Sequence, residues 1–424
     1  MLLSAKRVYQ WLFAFMVFFL FAPNGYGLII PYYSTSSSLY RYVIIGLFII
    51  LLLTKRLKNV LTANFLFMLI CLLVCISNNY DLANNNYAYV QMFGLVVLMS
   101  LFCVTDAEWI YTFENAILVI SSFYMITTLL FFFVPSLYSS IAIPIFQNSS
   151  VFDLQSEYNR GIMFGFTTHY SSNAIYLALG FIVSVAKAFF SGNRKNCKEV
   201  FLSFLFLFAL LLTGKRAHII FSIVAIIVTY YCYAAKEKFG RIFKIMALII
   251  VGIVAVYIMS FFVPQVMNFV NRFIETAEQG DMLMYRDVFY AYALDGFTKA
   301  PILGNGWMWY NHTINLNSAY NVHNIYIQLL AETGIVGFIF FVGYFIYAFV
   351  RAAHLLVQIK KEGNEYLERF SFPIAATLML QVFFICYGMS GNPLYDTEMF
   401  IPYLISTIAV ESVYVYQRNW RVVK

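Results

Sequence analysis

Long apolar blocks run along this chain, separated by short polar or basic segments. Within a block the residues do not alternate as in a strand. Most blocks reach about 18 residues, the length at which a helix crosses a bilayer. The pattern predicts twelve membrane helices, over 8–28, 39–53, 60–77, 87–105, 114–134, 171–190, 200–213, 217–235, 245–264, 324–350, 372–389 and 399–416. The second and seventh are short and would extend into their flanks. Helices satisfy their own backbone hydrogen bonds in lipid, so the fold class is all-α and polytopic. The alternating segments of about ten residues that build a membrane barrel are missing from the sequence.

Composition agrees with the pattern. Of 424 residues, 62% are apolar and 11% charged, which cannot supply a water-soluble surface. Lys6 and Arg7 before the first apolar run imitate a secretory leader. Phe21-Ala22-Pro23-Asn24 is a poor cleavage site, so 8–28 reads as a membrane helix. The six cysteines read as apolar-buried or loop thiols without a pairing framework.

The net charge of +7 gains meaning from its distribution rather than as a sign of nucleic acid. With the N-terminus inside, 20 of the 27 Lys and Arg residues fall on the inner side. Both termini are then cytoplasmic. The outer side keeps seven: Arg41, Arg160, Lys215, Arg216, Arg272, Arg286 and Lys299. Two outer loops are long, 135–170 and 265–323, and both are rich in apolar and aromatic residues. The chain reads as one integral domain, 1–424, with 265–323 as a large external loop between the ninth and tenth spans. Met282, Tyr285, Phe289 and Tyr292 recur at helical spacing after Asp281, a candidate N-cap. They predict an amphipathic helix over 281–299 with Arg286 near its start.

Three outer segments combine cations with histidines: Arg160-Gly161 through His169 to Asn173; the turn Thr213-Gly214-Lys215-Arg216-Ala217-His218; and Arg286, Gly304-Asn305-Gly306, then His323-Asn324. Arginine presents a planar donor fork to phosphate oxygens. A helix opening at Asn324 adds its positive dipole and disfavours imidazolium, which would leave His323 able to accept a proton. Backbone near Gly304 and Gly306 can approach a ligand closely, or the glycines can merely serve a turn. Each cation could equally anchor a helix at the headgroups, and each histidine could be a cap. Together they suit a diphosphate leaving group at the outer boundary. Glu332, with Thr333-Gly334 after it, lies at a costly depth in the tenth span. It either joins the site or pairs with an arginine, and 323–333 could be an outer segment preceding the true span. Glu275, Glu278 and Asp281, and Asp153 with Glu157, read as solvated acidic faces rather than a metal site.

These segments resemble the O-antigen polymerase and ligase superfamily. Thr213-Gly-Lys-Arg-Ala is similar to its short Thr-x-Ser-Arg-Gly turn, departing at Lys215 and Ala217. Pro301-x-x-Gly304-x-Gly306, His323-Asn324-x-Tyr326 and Glu332-x-Gly334-x-x-Gly337 resemble its stretch around the large external loop, and Arg160-Gly with His169-Tyr-x-x-Asn173 resembles its earlier motif. The resemblance covers about 155–350. It implies a GT-C-like membrane glycosyltransferase whose donor is a glycan on undecaprenyl diphosphate, without metal or other cofactor. Arg216 and Arg286 would hold the diphosphate and His323 would act at the acceptor hydroxyl or the leaving group. Arg160, His169, Asn173, Lys215, Gly304, Gly306, Asn324 and Glu332 would line the substrate site. Partners would be the lipid-linked donor and acceptor, membrane lipid, a chain-length regulator and a flippase. The expected function is polymerisation of repeat units for O-antigen, capsule or exopolysaccharide in the cytoplasmic membrane. The alternatives are a ligase onto lipid A-core or another acceptor, and a transporter or flippase, whose midplane polar residues and paired repeats are not evident in the sequence.

Overall fold

The computed structural model describes residues 61–80, 87–103, 107–147, 150, 152–191, 197–235, 286–314, 321–363 and 365–423, with single positions between 46 and 261. The described residues are helical, with α1 Ala63–Ser77, α2 Tyr87–Phe102, α3 Trp109–Phe133, α4 Leu154–Asn159, α5 Tyr170–Phe190, α6 Cys197–Leu212, α7 Arg216–Tyr233, α8 Arg286–Lys299, α9 Trp309–Thr313, α10 Ile325–Glu362, α11 Ser371–Tyr387 and α12 Thr397–Val423. Nine of these fall on nine of the twelve expected spans, and α3, α5, α7, α10 and α12 are long and apolar enough to cross a membrane. The described residues are all-helical, and the chain is a multi-pass membrane protein. The expected spans 8–28, nearly all of 39–53 and most of 245–264 lie outside the described residues, as do Arg41, Arg272, Glu275, Glu278, Asp281 and Tyr285.

Lipid is as apolar as leucine, so helices in it associate through close packing and polar contacts. Gly180 of α5 lets α3 and α6 close in; a Cβ there would stand 2.4 Å from the Phe206 ring and 2.6 Å from Ser121. Tyr124 and Tyr176 stack at 4.0 Å between α3 and α5. At one end of the bundle Arg351 of α10 donates to both carboxylate oxygens of Glu411 on α12, at 2.9 and 3.0 Å. Arg369 donates to Tyr416 at 2.7 Å at the same end. These two cations, expected on the inner side from the sequence, are built into contacts between elements.

α10 is continuous except at Gly334, whose φ of 62° and ψ of −169° break the helix geometry. The break frees backbone groups, and the segment Pro301–Gly306 takes them. Asn305 and Gly306 donate to the carbonyls of Ala331 and Glu332 at 3.0 and 2.9 Å. Ile335 and Val336 donate to those of Pro301 and Ile302 at 2.9 and 3.2 Å. Gly334 thus divides α10 into two helices at a kink, at the position where the sequence suggests that an outer segment over 323–333 gives way to the span. The same loop is pinned to the end of α1, where Trp307 donates to Asn78 at 2.6 Å and Tyr80 donates to Trp307 at 3.0 Å.

α8 realises part of the helix expected over 281–299, and its described stretch begins at Arg286. It packs on α10 and α9 rather than lying free. Gly296 accommodates the Trp309 ring, and Tyr292 stacks on Trp309 at 5.5 Å.

Candidate functional site

The helix ends bearing the outer motifs meet at one face of the bundle. α5 begins at His169, whose Nδ1 accepts the Ser171 N–H at 3.0 Å as an N-cap. That bond fixes the neutral tautomer, with the remaining proton on Nε2 and available to donate. The His169 ring stacks on Tyr170 at 4.9 Å, and the Lys215 ammonium lies 4.3 Å above the Tyr170 ring. Two of the expected segments are thereby joined through one aromatic ring.

The second segment is a tight turn. Thr213 Oγ1 accepts the Lys215 N–H at 3.3 Å, and Gly214 takes a left-handed φ of 68°. Lys215 stands at the N-cap of α7 without a side-chain cap bond, and Arg216 is its first helical residue. The N-terminus of α7, with its helix dipole, lies beside both cations. Met163 donates to the Leu212 carbonyl at 3.0 Å and ties the preceding loop to the turn.

His323 occupies the left-handed region, with φ 58°, which non-glycine residues adopt mainly where surrounding structure imposes it. Asn324 fixes the following helix, its Oδ1 accepting from Tyr326 and Ile327 at 3.0 and 3.3 Å. Burial, then Arg286, then Lys215 drives the His323 pKa down to about 4. His169 is driven to about 4 by burial, then Lys215 and His323. Both rings are therefore neutral at pH 7. The helix dipole offered for this from the sequence is joined by two causes only the tertiary structure supplies: burial and converging cations.

α12 contributes what the motifs did not include. Asp396 immediately precedes it, half-buried, and Glu398 lies in its first turn. Burial and the neighbouring Glu398 charge push the Asp396 carboxyl up to about 8, against the pull of Lys215. Tyr387, at the end of α11, is within electrostatic reach of Asp396, Glu398, Arg286 and Tyr170. The site therefore brings together His169, Tyr170, Lys215, Arg286, His323, Tyr387, Asp396 and Glu398, with Arg216 adjoining Lys215. Asp396 and Glu398 escaped the sequence reading because it searched for cations on the disfavoured side, and carboxylates there are not anomalous. The turn Gly391-Asn392-Pro393 before the last span was the available signal.

Other expected residues lie against protein groups. A Cβ on Gly304 would stand 2.3 Å from the Glu332 carbonyl, and one on Gly306 would stand 3.3 Å from the Tyr80 nitrogen. Asn173 is buried, donating to Thr128 at 3.0 Å and to the Met163 carbonyl at 3.3 Å. Arg160 binds Glu157 at 2.9 Å on the surface, and Asp153 caps α4. Glu332 is fully buried; its four hydrogen-bond donors come from Met308, Tyr310, Gln328 and Tyr395, not from an arginine. Lys299 pairs with Asp295 at 2.6 Å at the far end of α8. His312 stacks on Tyr80 at 6.1 Å. His218 is buried against Tyr387, ring to ring 4.5 Å.

Chemically, this face offers several cations, the N-terminus of α7 with its dipole, a neutral histidine fixed as a donor and another able to accept a proton. That set suits an anionic leaving group being displaced by a hydroxyl. A comparison with curated proteins finds no match. Residues 201–342, which contain Lys215, Arg216, Arg286 and His323, match the family model described as O-antigen ligase, in agreement with the resemblance of these segments to the O-antigen polymerase and ligase superfamily.

Proposed function

We propose that this protein polymerises oligosaccharide repeat units carried on undecaprenyl diphosphate, at the outer face of the cytoplasmic membrane, with both termini inside. The observation that carries this reading is the convergence of Lys215, Arg286 and two histidines held neutral at one end of a multi-pass helical bundle. Arg216, Arg286 and the N-terminus of α7 would hold the diphosphate. An acceptor-sugar hydroxyl attacks the anomeric carbon of the donor glycan. The new C–O bond forms as the bond to the diphosphate breaks, and the lipid diphosphate leaves with the electron pair. His323 takes the hydroxyl proton, and His169 Nε2–H donates to an oxygen of the substrate. Asp396, mostly protonated near neutral pH, serves as a second donor toward the sugars.

A ligase uses the same donor and the same bond changes, and the family description favours keeping it as the second reading. The two differ only in acceptor. The test is to reconstitute the full chain in lipid with a single lipid-linked repeat unit and resolve the products on a gel. A ladder of longer lipid-linked glycans supports the polymerase. Transfer only to an added lipid A-core acceptor supports the ligase. Absence of any new product from native substrate overturns both. Alanine at Arg216, Arg286 or His323 should abolish product while leaving membrane protein levels intact.

A further inference from the structure

The transfer chemistry needs two elements held in fixed relation to His323, although they lie far apart in sequence. One is the external loop that carries Arg286; the other is the turn Asn392–Asp396 ahead of α12. A single buried side chain bonds to both. Glu332 Oε2 accepts the Met308 N–H at 2.9 Å and the Tyr395 O–H at 2.5 Å. Its Oε1 accepts the Tyr310 N–H at 3.2 Å and the Gln328 Nε2–H at 3.0 Å.

Each contact leads toward the site. Met308 takes a left-handed φ of 70°, the residue before α9, so that N–H groups on either side of Trp309 meet one carboxylate. Trp309 is the seat of α8: it stacks on Tyr292 and fills the space over Gly296, where a Cβ would stand 2.3 Å from its ring. α8 begins at Arg286. On the other side, Tyr395 adjoins Asp396 and stacks on Trp307 at 4.8 Å. Gln328 extends the bridge, donating to Asn311 at 3.0 Å and accepting from Asn392 at 2.9 Å.

We propose that Glu332 is a positioning residue that couples the external loop to the Asn392–Asp396 turn and so sets Arg286 and Asp396 around His323; this rests on the transfer reading given above. Glu332 is 0% exposed and its carboxylate is committed to four donors, so it does not reach substrate itself. A carboxylate is the required group because all four neighbours donate, whereas an amide offers one acceptor oxygen and turns two donors against its nitrogen.

The test uses the full chain in lipid with a lipid-linked repeat unit, comparing Glu332→Gln and Tyr395→Phe with the parent. Glu332→Gln keeps the side-chain shape, so a role in packing alone predicts parental turnover. The coupling predicts that kcat of the folded fraction falls about ten- to a hundredfold, as for a small misplacement of catalytic groups. The donor KM should stay within about threefold. Tyr395→Phe should lose less, in the same direction. A loss that only tracks the amount of folded protein overturns the proposal, as does parental kcat in Glu332→Gln. Hydrogen–deuterium exchange supplies a readout independent of catalysis: peptides spanning 303–313 and 389–397 should exchange faster in Glu332→Gln, and 160–170 should not. Unchanged exchange at both segments also overturns the coupling. A parent without product, tested beside a Glu332→Gln variant with faster exchange, sinks the transfer reading and leaves the coupling standing.

Discussion

Gly304 stands against Glu332 so closely that a Cβ on the glycine would lie 2.3 Å from the Glu332 carbonyl carbon and oxygen. Across the same contact, a Cβ on Gly334 would lie 2.3 Å from the Ile302 carbonyl oxygen. Both glycines have left-handed φ, 74° and 62°. Gly304→Ala and Gly334→Ala should each destabilise the fold by more than about 3 kcal/mol, combining backbone strain with a clash that no side chain can relieve. Gly343→Ala, in open space on α10, should be neutral or stabilise by about 0.5–1 kcal/mol. Thermal melting of the purified variants in lipid decides this. A Gly304→Ala protein melting with the parent would refute the close-approach account.

Lys215 faces the histidines from the head of α7, and its removal tests how they are kept neutral. The groups that act on His323 include Arg286 from α8, Lys215 at the head of α7 and His169 at the head of α5. Asp396, just ahead of α12, and Tyr387 of α11 connect to this cluster through Lys215 and Arg286. Deleting a positive charge favours imidazolium, so the His323 pKa rises from about 4 toward the ordinary 6.5. In Lys215→Met the acid limb of the rate–pH profile should move to higher pH, by only part of that interval because burial is the larger cause. Lys215→Arg should keep the parental limb. An acid limb that does not move in Lys215→Met would show that Lys215 serves some other purpose.

The same histidines tie stability to pH. Their folded pKa values lie below the unfolded value, so the unfolded chain binds the extra protons. Their contribution is fully present above pH 6.5 and is lost as pH falls to about 4. His323→Gln should flatten the part of the melting-temperature decline that His323 causes in that window. A decline of unchanged steepness would argue against a buried neutral ring.

Asp396 behaves in the opposite sense, its carboxyl being raised to about 8. It is largely neutral at pH 7 and charges above about pH 8, where a donor to substrate is lost. Asp396→Asn should therefore retain most of the rate near neutral pH and remove a fall in rate centred near pH 8. Loss of activity at every pH in Asp396→Asn would assign the ionised carboxylate, rather than the acid, to the reaction.

Arg160 provides the contrast among the outer cations. Its side chain is 66% exposed and bound to Glu157 three residues earlier, an ion pair worth at most about 1 kcal/mol. Arg160→Ala should change neither product formation nor melting temperature appreciably. A tenfold loss of rate would bring Arg160 back to the substrate.

The outer motifs differed in how far the sequence could interpret them. His169, Lys215, Arg286 and His323 were legible as chemistry because cations on the outer side oppose the sorting of charge across the membrane. The helix start at Asn324 was legible from the apolar run that follows it, and Asn324 caps α10 there. Gly304, Gly306 and Glu332 were legible as a pattern but not as a mechanism. A glycine pair signals a close approach without saying to what, and here the kinked helix and the end of α1 come close. Asn173 and Arg160 are polar residues whose hydrogen-bond partners lie on other elements or one turn back, and spacing alone does not choose between such partners and a substrate.

The sequence by itself determined the helices, because a residue's hydrophobicity and the thickness of a bilayer act locally along the chain. It also marked the loops whose charge is expected on the outer side. Only the tertiary structure decided which of those charges converge, that burial keeps His169 and His323 neutral, and that Asp396 joins them from the last helix. Desolvation and electrostatic coupling depend on distances between segments far apart in the chain, and no local pattern carries those distances. The depth at which Glu332 sits was visible from hydropathy; that four donors from three elements meet it there is a property of the packed bundle alone.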